Sequence, residues 1–218
     1  VRAVSSIRDL PTFRRLLALA ASRCGRILNK TALAAPLGVS VPTVTEWLNI
    51  LELTGQIVLI PPCFETFGKR IIKSPKLYFV DSGLVCHLLG IDTEAQLARS
   101  PFLGPLFEGF VAAEILKQQQ GAGRRRELYY FRDQQGLEVD FLVPLGGRRL
   151  AVVEAKASVT VRPEMGDAIA RLMKSARGHE ARGFVVHRPG TSAEPLQALR
   201  PGVRAVDLGG LLGFLRPR

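Results

Sequence analysis

Between Leu128 and Ala157 three β-rich runs follow one another, Leu128 to Arg132, Leu137 to Val143 and Arg149 to Ala157, divided by the tight turns DQQG and PLGGR. A helix-period stretch, Pro105 to Gln119, precedes them. Another, Pro163 to Arg177, follows with Ala168, Leu172 and Ala176 in helical register. Runs at Gly183 to His187 and Arg204 to Leu208 read as further strands. The order αβββαβ makes this half an α/β (α+β) domain built on one sheet.

The first half is patterned differently. Phe13, Leu16, Leu17 and Ala20 recur at helical spacing after Pro11, and a short second helix is expected from Lys30 to Leu37. Gly38 supplies a tight turn, Ser40 a cap, and Pro42 to Thr54 places Val44, Trp47, Leu48 and Leu51 on one face. Gln56 to Ile60 and Lys76 to Val80 read as a hairpin around PPCFETFGKRIIKSP, and Asp81 caps a helix that ends at Gly90. Helix, turn, helix and wing define an N-terminal winged helix-turn-helix over residues 1–99, with the α/β domain over 100–218.

Composition agrees with two folded modules, since the 218 residues are 47% apolar and 22% charged. No apolar run approaches the roughly 20 residues of a membrane helix, and the first residues lack a signal-peptide core, so a cytoplasmic protein without a membrane partner is expected. Cys24, Cys63 and Cys86 form no CxxC pair and read as buried thiols. His87, His179 and His187 share no ligand spacing and read as structural. A net charge of +11 favours contact with phosphate backbones.

That charge is unevenly placed. Between Thr31 and Gly68 there is no Lys or Arg, and the exposed face of the third helix offers Thr45, Glu46, Asn49 and Glu52, of which the two acids repel phosphate. The wing instead carries Lys69, Arg70, Lys73 and Lys76, the expected nucleic-acid-binding residues of this module.

The chemical signal lies on the strands. Asp140 in GLEVDFLV is followed by Glu154 and Lys156 in AVVEAKAS. Strand alternation points Glu154 and Lys156 one way and Val153 and Ala155 into the core, with Asp140 opposite the acid and lysine. Two converging carboxylates call for a cation, and hard oxygen ligands suit Mg²⁺ or Mn²⁺. Lys156 would orient a water or stabilise developing negative charge, the chemistry of phosphodiester hydrolysis. By spacing alone the pattern also suits a solvated strand face. The preceding helix offers two further acids: Glu114 on the apolar arc and Glu108 at its edge, and amphipathicity leaves the choice open.

Asp140, Glu154-x-Lys156 and LFEGFVAAEIL together resemble the PD-(D/E)xK nuclease-like superfamily, whose fold is restriction-endonuclease-like. The phrases RDLPTFRRLLALAA, KSPKLYFVDSGLVCHLLG, LFEGFVAAEIL, YYFRDQQGLEVDFLV and VVEAKAS, in that order, resemble the C-terminal half of predicted prokaryotic AAA+ ATPases that carry domain of unknown function 4143. The resemblance favours Glu108 over Glu114 as the third metal ligand, because Val111 and Ile115 follow it at the family's spacing. It implies an N-terminal AAA+ ATPase module as partner. No GxxxxGK[ST] loop exists here, so this chain is expected not to bind ATP. The implied function is nucleic-acid association with Mg-dependent phosphodiester cleavage; the alternative is a non-catalytic DNA- or protein-binding module that regulates the ATPase. Oligomeric state is left open.

Overall fold

The computed structural model describes residues 7, 9–63, 73–176, 178–190 and 197–216. Among these residues the chain is a mixed α/β protein with eight α-helices, a two-stranded sheet and a six-stranded mixed sheet. It divides into two compact units, residues 1–60 with 74–110, and residues 61–73 with 111–218. This division falls between Phe110 and Val111, inside a helix. No described helix is long and apolar enough to cross a membrane.

In the first unit, α1 (Leu10–Ala21) starts where Asp9 accepts the Thr12 N–H and Pro11 occupies the first turn. Asn29 caps α2 (Lys30–Ala34), which tightens into a 3₁₀ turn and stops at Gly38, whose φ of 68° is left-handed. Ser40 caps α3 (Val41–Leu53) through the Thr43 N–H. Leu16, Ala20, Leu33, Val44, Trp47, Leu48 and Leu51 form the buried seam among these helices. Phe13 meets Trp47 edge-on at 5.5 Å.

β1 (Ile57–Ile60) and β2 (Lys76–Phe79) pair antiparallel, Ile57 opposite Phe79. The free edge of β2 is met by the backbone of residues 25–28, through Gly25 N to Leu77 O, Leu77 N to Arg26 O and Leu28 N to Pro75 O. Asp81 then caps α4 (Ser82–Leu88). A further helix that the apolar pattern does not reveal, α5 (Glu94–Arg99), is closed by a Thr93–Gln96 capping box and buries none of its side chains.

Helix α6 (Leu103–Gly121) contributes Val111, Ala112, Ile115 and Leu116 to the buried interior of the second unit. The sheet that follows contains β3 (Tyr129–Arg132), β4 (Glu138–Pro144), β5 (Arg149–Lys156), β6 (Glu180–His187), β7 (Gln197–Arg200) and β8 (Val203–Val206), in the spatial order β3-β4-β5-β6-β8-β7. Pairings β3–β4, β4–β5 and β7–β8 are antiparallel; β5–β6 and β6–β8 are parallel. Helix α7 (Asp167–Ser175) makes the crossover between β5 and β6, as a parallel pair requires. The DQQG turn is held by Asp133, whose buried carboxylate accepts the N–H groups of Gln135 and Leu137.

One face of this sheet packs on α7 in a cluster that joins Val152, Val185 and Val203 to Ile169 and Leu172. The close approach needs Gly183 on β6, because a Cβ there would stand 2.5 Å from Ile169 Cγ2 and 2.8 Å from Val203 Cγ2. Elsewhere Phe184 of β6 stacks at 4.6 Å on Phe214 of α8 (Leu208–Leu215), and Gln118 of α6 donates to Leu212 O. The final expected strand, Arg204 to Leu208, is therefore shorter, and the chain turns into a helix capped by Asp207 at the Gly210 N–H. Strand β7 also lies outside the expected αβββαβ order.

Candidate functional site

β4 and β5 bring Asp140, Glu154 and Lys156 together. Their register pairs Leu142 with Val152 and Phe141 with Val153, and one further step sets Asp140 opposite Glu154. The Asp140 side chain takes part in the ladder there: its Oδ2 accepts the Ala155 N–H at 2.9 Å. Lys156, two residues beyond Glu154 on the same face, places Nζ 2.7 Å from Glu154 Oε1.

The expected division of β5 into a core face and a functional face is not what the structure has. Val153 is fully buried, but Leu150 and Val152, which share the face of Glu154, are buried too. Strands covered on both faces are normal where a helix crosses over a parallel pair. The site is reached from the carboxyl end of β5, where burial relaxes from Glu154, 9% exposed, to the half-buried Ala155 and Lys156.

Electrostatics follow from this placement. Burial and then the neighbouring Asp140 carboxylate push the Glu154 carboxyl up, Lys156 and the Asp140 backbone N–H oppose the rise, and the net value is about 7. Glu154 Oε2 is buried without a hydrogen-bond partner, although its other oxygen is held by Lys156. A buried, unsatisfied carboxylate oxygen beside a second carboxylate is the donor chemistry of a hard divalent cation site. The chain's own residues thus fit an Asp140–Glu154 pair of ligands for Mg²⁺ or Mn²⁺. Among the described residues no three His, Cys, Asp or Glu side chains form a metal-holding group.

The third expected ligand has other partners. Within the first unit, Glu108 Oε1 accepts from Lys76 Nζ at 2.9 Å and from the Tyr78 hydroxyl. The Lys76 side chain is 3% exposed and that of Glu108 16%. This corrects the placement of Lys76 on an exposed basic wing: its ammonium is turned inward and spent on Glu108. The same carboxylate adds to the burial that pushes the Cys24 thiol up to about 11. Glu114, the other candidate on α6, pairs with Lys117 at 2.8 Å in the ordinary i,i+3 manner of a helix surface.

Of the other residues expected on a wing, Lys73 is exposed, and Lys69 and Arg70 lie outside the described residues. On α3, Glu46 and Asn49 are exposed, and Thr45 and Glu52 half-buried. Of the three cysteines expected to be buried thiols, Cys24 is buried, whereas Cys63 and Cys86 are only half-buried.

One neighbour of the site is not visible in the sequence. The parallel register of β5 and β6 sets His187 beside Lys156. His187 Nδ1 lies 2.8 Å from Arg188 O, and a carbonyl only accepts, so Nδ1 is the donor of that bond. Only strand pairing reveals this proximity, because the two residues are far apart in the chain.

Residues 1–95 match the family model "Domain of unknown function (DUF8612)", and residues 103–206 match "Domain of unknown function (DUF4143)". The uncharacterized proteins Mb2031c of Mycobacterium bovis and Rv2008c of Mycobacterium tuberculosis are each 38% identical to this chain over 137 residues, which is 63% of the chain. The match spans 30% of the length of either relative. Among solved structures, the half-complex from a tetradecameric assembly of Thermococcus gammatolerans McrB AAA+ hexamers with bound McrC is similar at 12% identity and a TM-score of 0.32, over 89% of this chain and 70% of that one.

Proposed function

We propose that the second unit is a PD-(D/E)xK nuclease-like domain that cleaves phosphodiesters with Mg²⁺ or Mn²⁺, joined to a winged helix-turn-helix and serving an AAA+ ATPase as its C-terminal region. The observation that carries the reading is the pairing of two buried carboxylates, Asp140 and Glu154, with an unsatisfied oxygen on the second and the Lys156 ammonium 2.7 Å from the first oxygen of that same group. The match to DUF4143 over residues 103–206 supports the family resemblance on which the ATPase partner rests.

A divalent cation, when bound, would polarise the scissile phosphate and acidify a water. The protein's part is to hold Asp140 in place through the Ala155 N–H, and to keep Glu154 in a dry setting where its charge demands a partner. Lys156, 37% exposed at its side chain, reaches solvent from the same face and would neutralise charge that develops on the phosphate. Glu108 enters as a third ligand through resemblance alone, and in that role it would have to give up Lys76.

One observation favours the second reading, a non-catalytic DNA- or protein-binding module. Lys156 already supplies Glu154 with a counter-charge, so the pair needs no cation to fold. Incubating the purified chain with plasmid and single-stranded DNA in Mn²⁺ separates the two. Cleavage that disappears in Asp140→Asn and Lys156→Ala supports the nuclease, whereas no cleavage, or cleavage unchanged in both variants, leaves the binding module.

A further inference from the structure

A cavity of about 600 Å³ opens in the second unit at the end of the sheet where β5 and β6 begin, and Arg124, Arg149, Glu180, Arg182, Phe214 and Arg216 line it. The four arginines come from four separate segments: the turn after α6, the first residue of β5, the third residue of β6, and the residue after α8. Against them stands one carboxylate, Glu180, so the lining is strongly positive.

The guanidiniums stand ready for a ligand. Arg149 Nη2 is tethered to Leu145 O at 3.1 Å, and Arg182 Cζ lies 5.8 Å from the centroid of Phe214, whose ring is fixed on Phe184. Two arginines elsewhere in the same unit are ion-paired, Arg132 with Glu138 at 3.1 Å and Arg200 with Asp167 at 2.8 Å. Among the described residues none of the four cavity arginines is in an ion pair. A guanidinium stays charged at any pH the fold survives and matches phosphate oxygens two at a time. An aromatic ring among such groups adds a stacking surface for a base, the combination that binds single strands without reading sequence.

We propose that this cavity binds the phosphodiester backbone of single-stranded nucleic acid, with Arg149 and Arg182 on phosphates and about one or two nucleotides inside. It is distinct from the carboxylate site: Arg149 and Lys156 occupy opposite ends of β5, about 23 Å apart at the rise of a strand. The proposal rests on the function proposed above only in taking nucleic acid as the polyanion, and it holds whether or not Asp140 and Glu154 support cleavage.

The test measures fluorescence anisotropy of a labelled single-stranded 16-mer with the full chain in EDTA, which silences any metal-dependent step. Arg149→Gln/Arg182→Gln should weaken binding about tenfold and lower the salt slope by about 1.4, as two lost phosphate contacts on a single strand require. Arg216→Gln, at an exposed residue after α8, should weaken it in the same direction and guards against a double variant that fails to fold. Arg171→Gln/Arg204→Gln removes the same charge from exposed positions outside the cavity lining and should change affinity less than twofold. Unchanged affinity and slope in both cavity variants, or an equal loss in the control, would overturn the proposal. Displacement of the 16-mer by a nucleoside monophosphate at equal concentration would overturn it too, in favour of a free-nucleotide site.

Discussion

Lys156 holds one oxygen of Glu154 at 2.7 Å and leaves the other buried without a partner. The carboxyl is therefore half-compensated, which accounts for a proton affinity raised to about 7 despite an ammonium in contact. The folded state binds this proton more tightly than the unfolded chain does. No penalty exists below the ordinary value near 4.5; stability is then lost as pH rises through the interval to about 7, by about 3 kcal/mol in the limit of full coupling. Thermal or urea unfolding followed from pH 4.5 to 8 should show this decline, and Glu154→Gln should flatten it. An equally steep decline in Glu154→Gln would assign the pH dependence to another group.

Asp140 has two separable duties. Its Oδ2 accepts the Ala155 N–H, and its charge raises the proton affinity of Glu154. Asp140→Ala strands a backbone donor at a cost of about 1–3 kcal/mol. Asp140→Asn keeps an acceptor, costs less, and should move the midpoint of the Glu154-linked stability loss to lower pH. Amide exchange at Ala155 reads the first duty: fast in the alanine variant and protected in the asparagine variant. Equal protection in both would deny Asp140 its place in the ladder.

The residues of this site are those a sequence can disclose, because each lies within a short span whose alternation and tight turns fix the geometry. Asp140, Glu154 and Lys156 need only a strand, a turn and a strand. Glu108 shows where that legibility stops. Its partner Lys76 lies 32 residues away, and a lysine in a basic run reads as solvated because burying an ammonium is costly unless an acid meets it. The fold behaves alike. Capped helices such as α3 are written in local signals, Ser40 and Pro42 at the start and Gly55 after the end. Helix α8 is not, since LGGLLGFL has poor intrinsic helicity and is held by the Asp207 cap and the burial of Leu211 and Leu215. The arginine cavity has no local signature, because its four cations meet only when the sheet has formed.

Lys76 and Glu108 should behave as one buried unit. Lys76→Met takes the Lys76 ammonium away from the Glu108 carboxylate, and breaking such a buried pair from one side costs about 3–5 kcal/mol. Lys76→Met/Glu108→Gln removes both charges and should recover much of that loss. A double-mutant cycle by urea denaturation checks it: strictly additive single effects would mean that the two side chains do not interact in solution.

Gly183 sets how close α7 comes to the sheet. A methyl group there would stand 2.5 Å from Ile169 Cγ2 and 2.8 Å from Val203 Cγ2, and neither branched side chain can swing away, since both are buried. Gly183→Ala must push the helix off β6 or force Ile169 from its rotamer, an overpacking cost of about 1–3 kcal/mol. That cost outweighs the few tenths to about 1 kcal/mol that an alanine gains through the unfolded chain. Pairing the substitution with Ile169→Ala makes the cause visible, because alanine lacks the Cγ2 methyl that stands next to the new Cβ. The double variant should then be less destabilised than the sum of its singles. Measured by chemical denaturation, a Gly183→Ala variant as stable as the parent would mean that α7 sits farther from β6 than the packing of Ile169 and Leu172 against Val152 and Val185 requires.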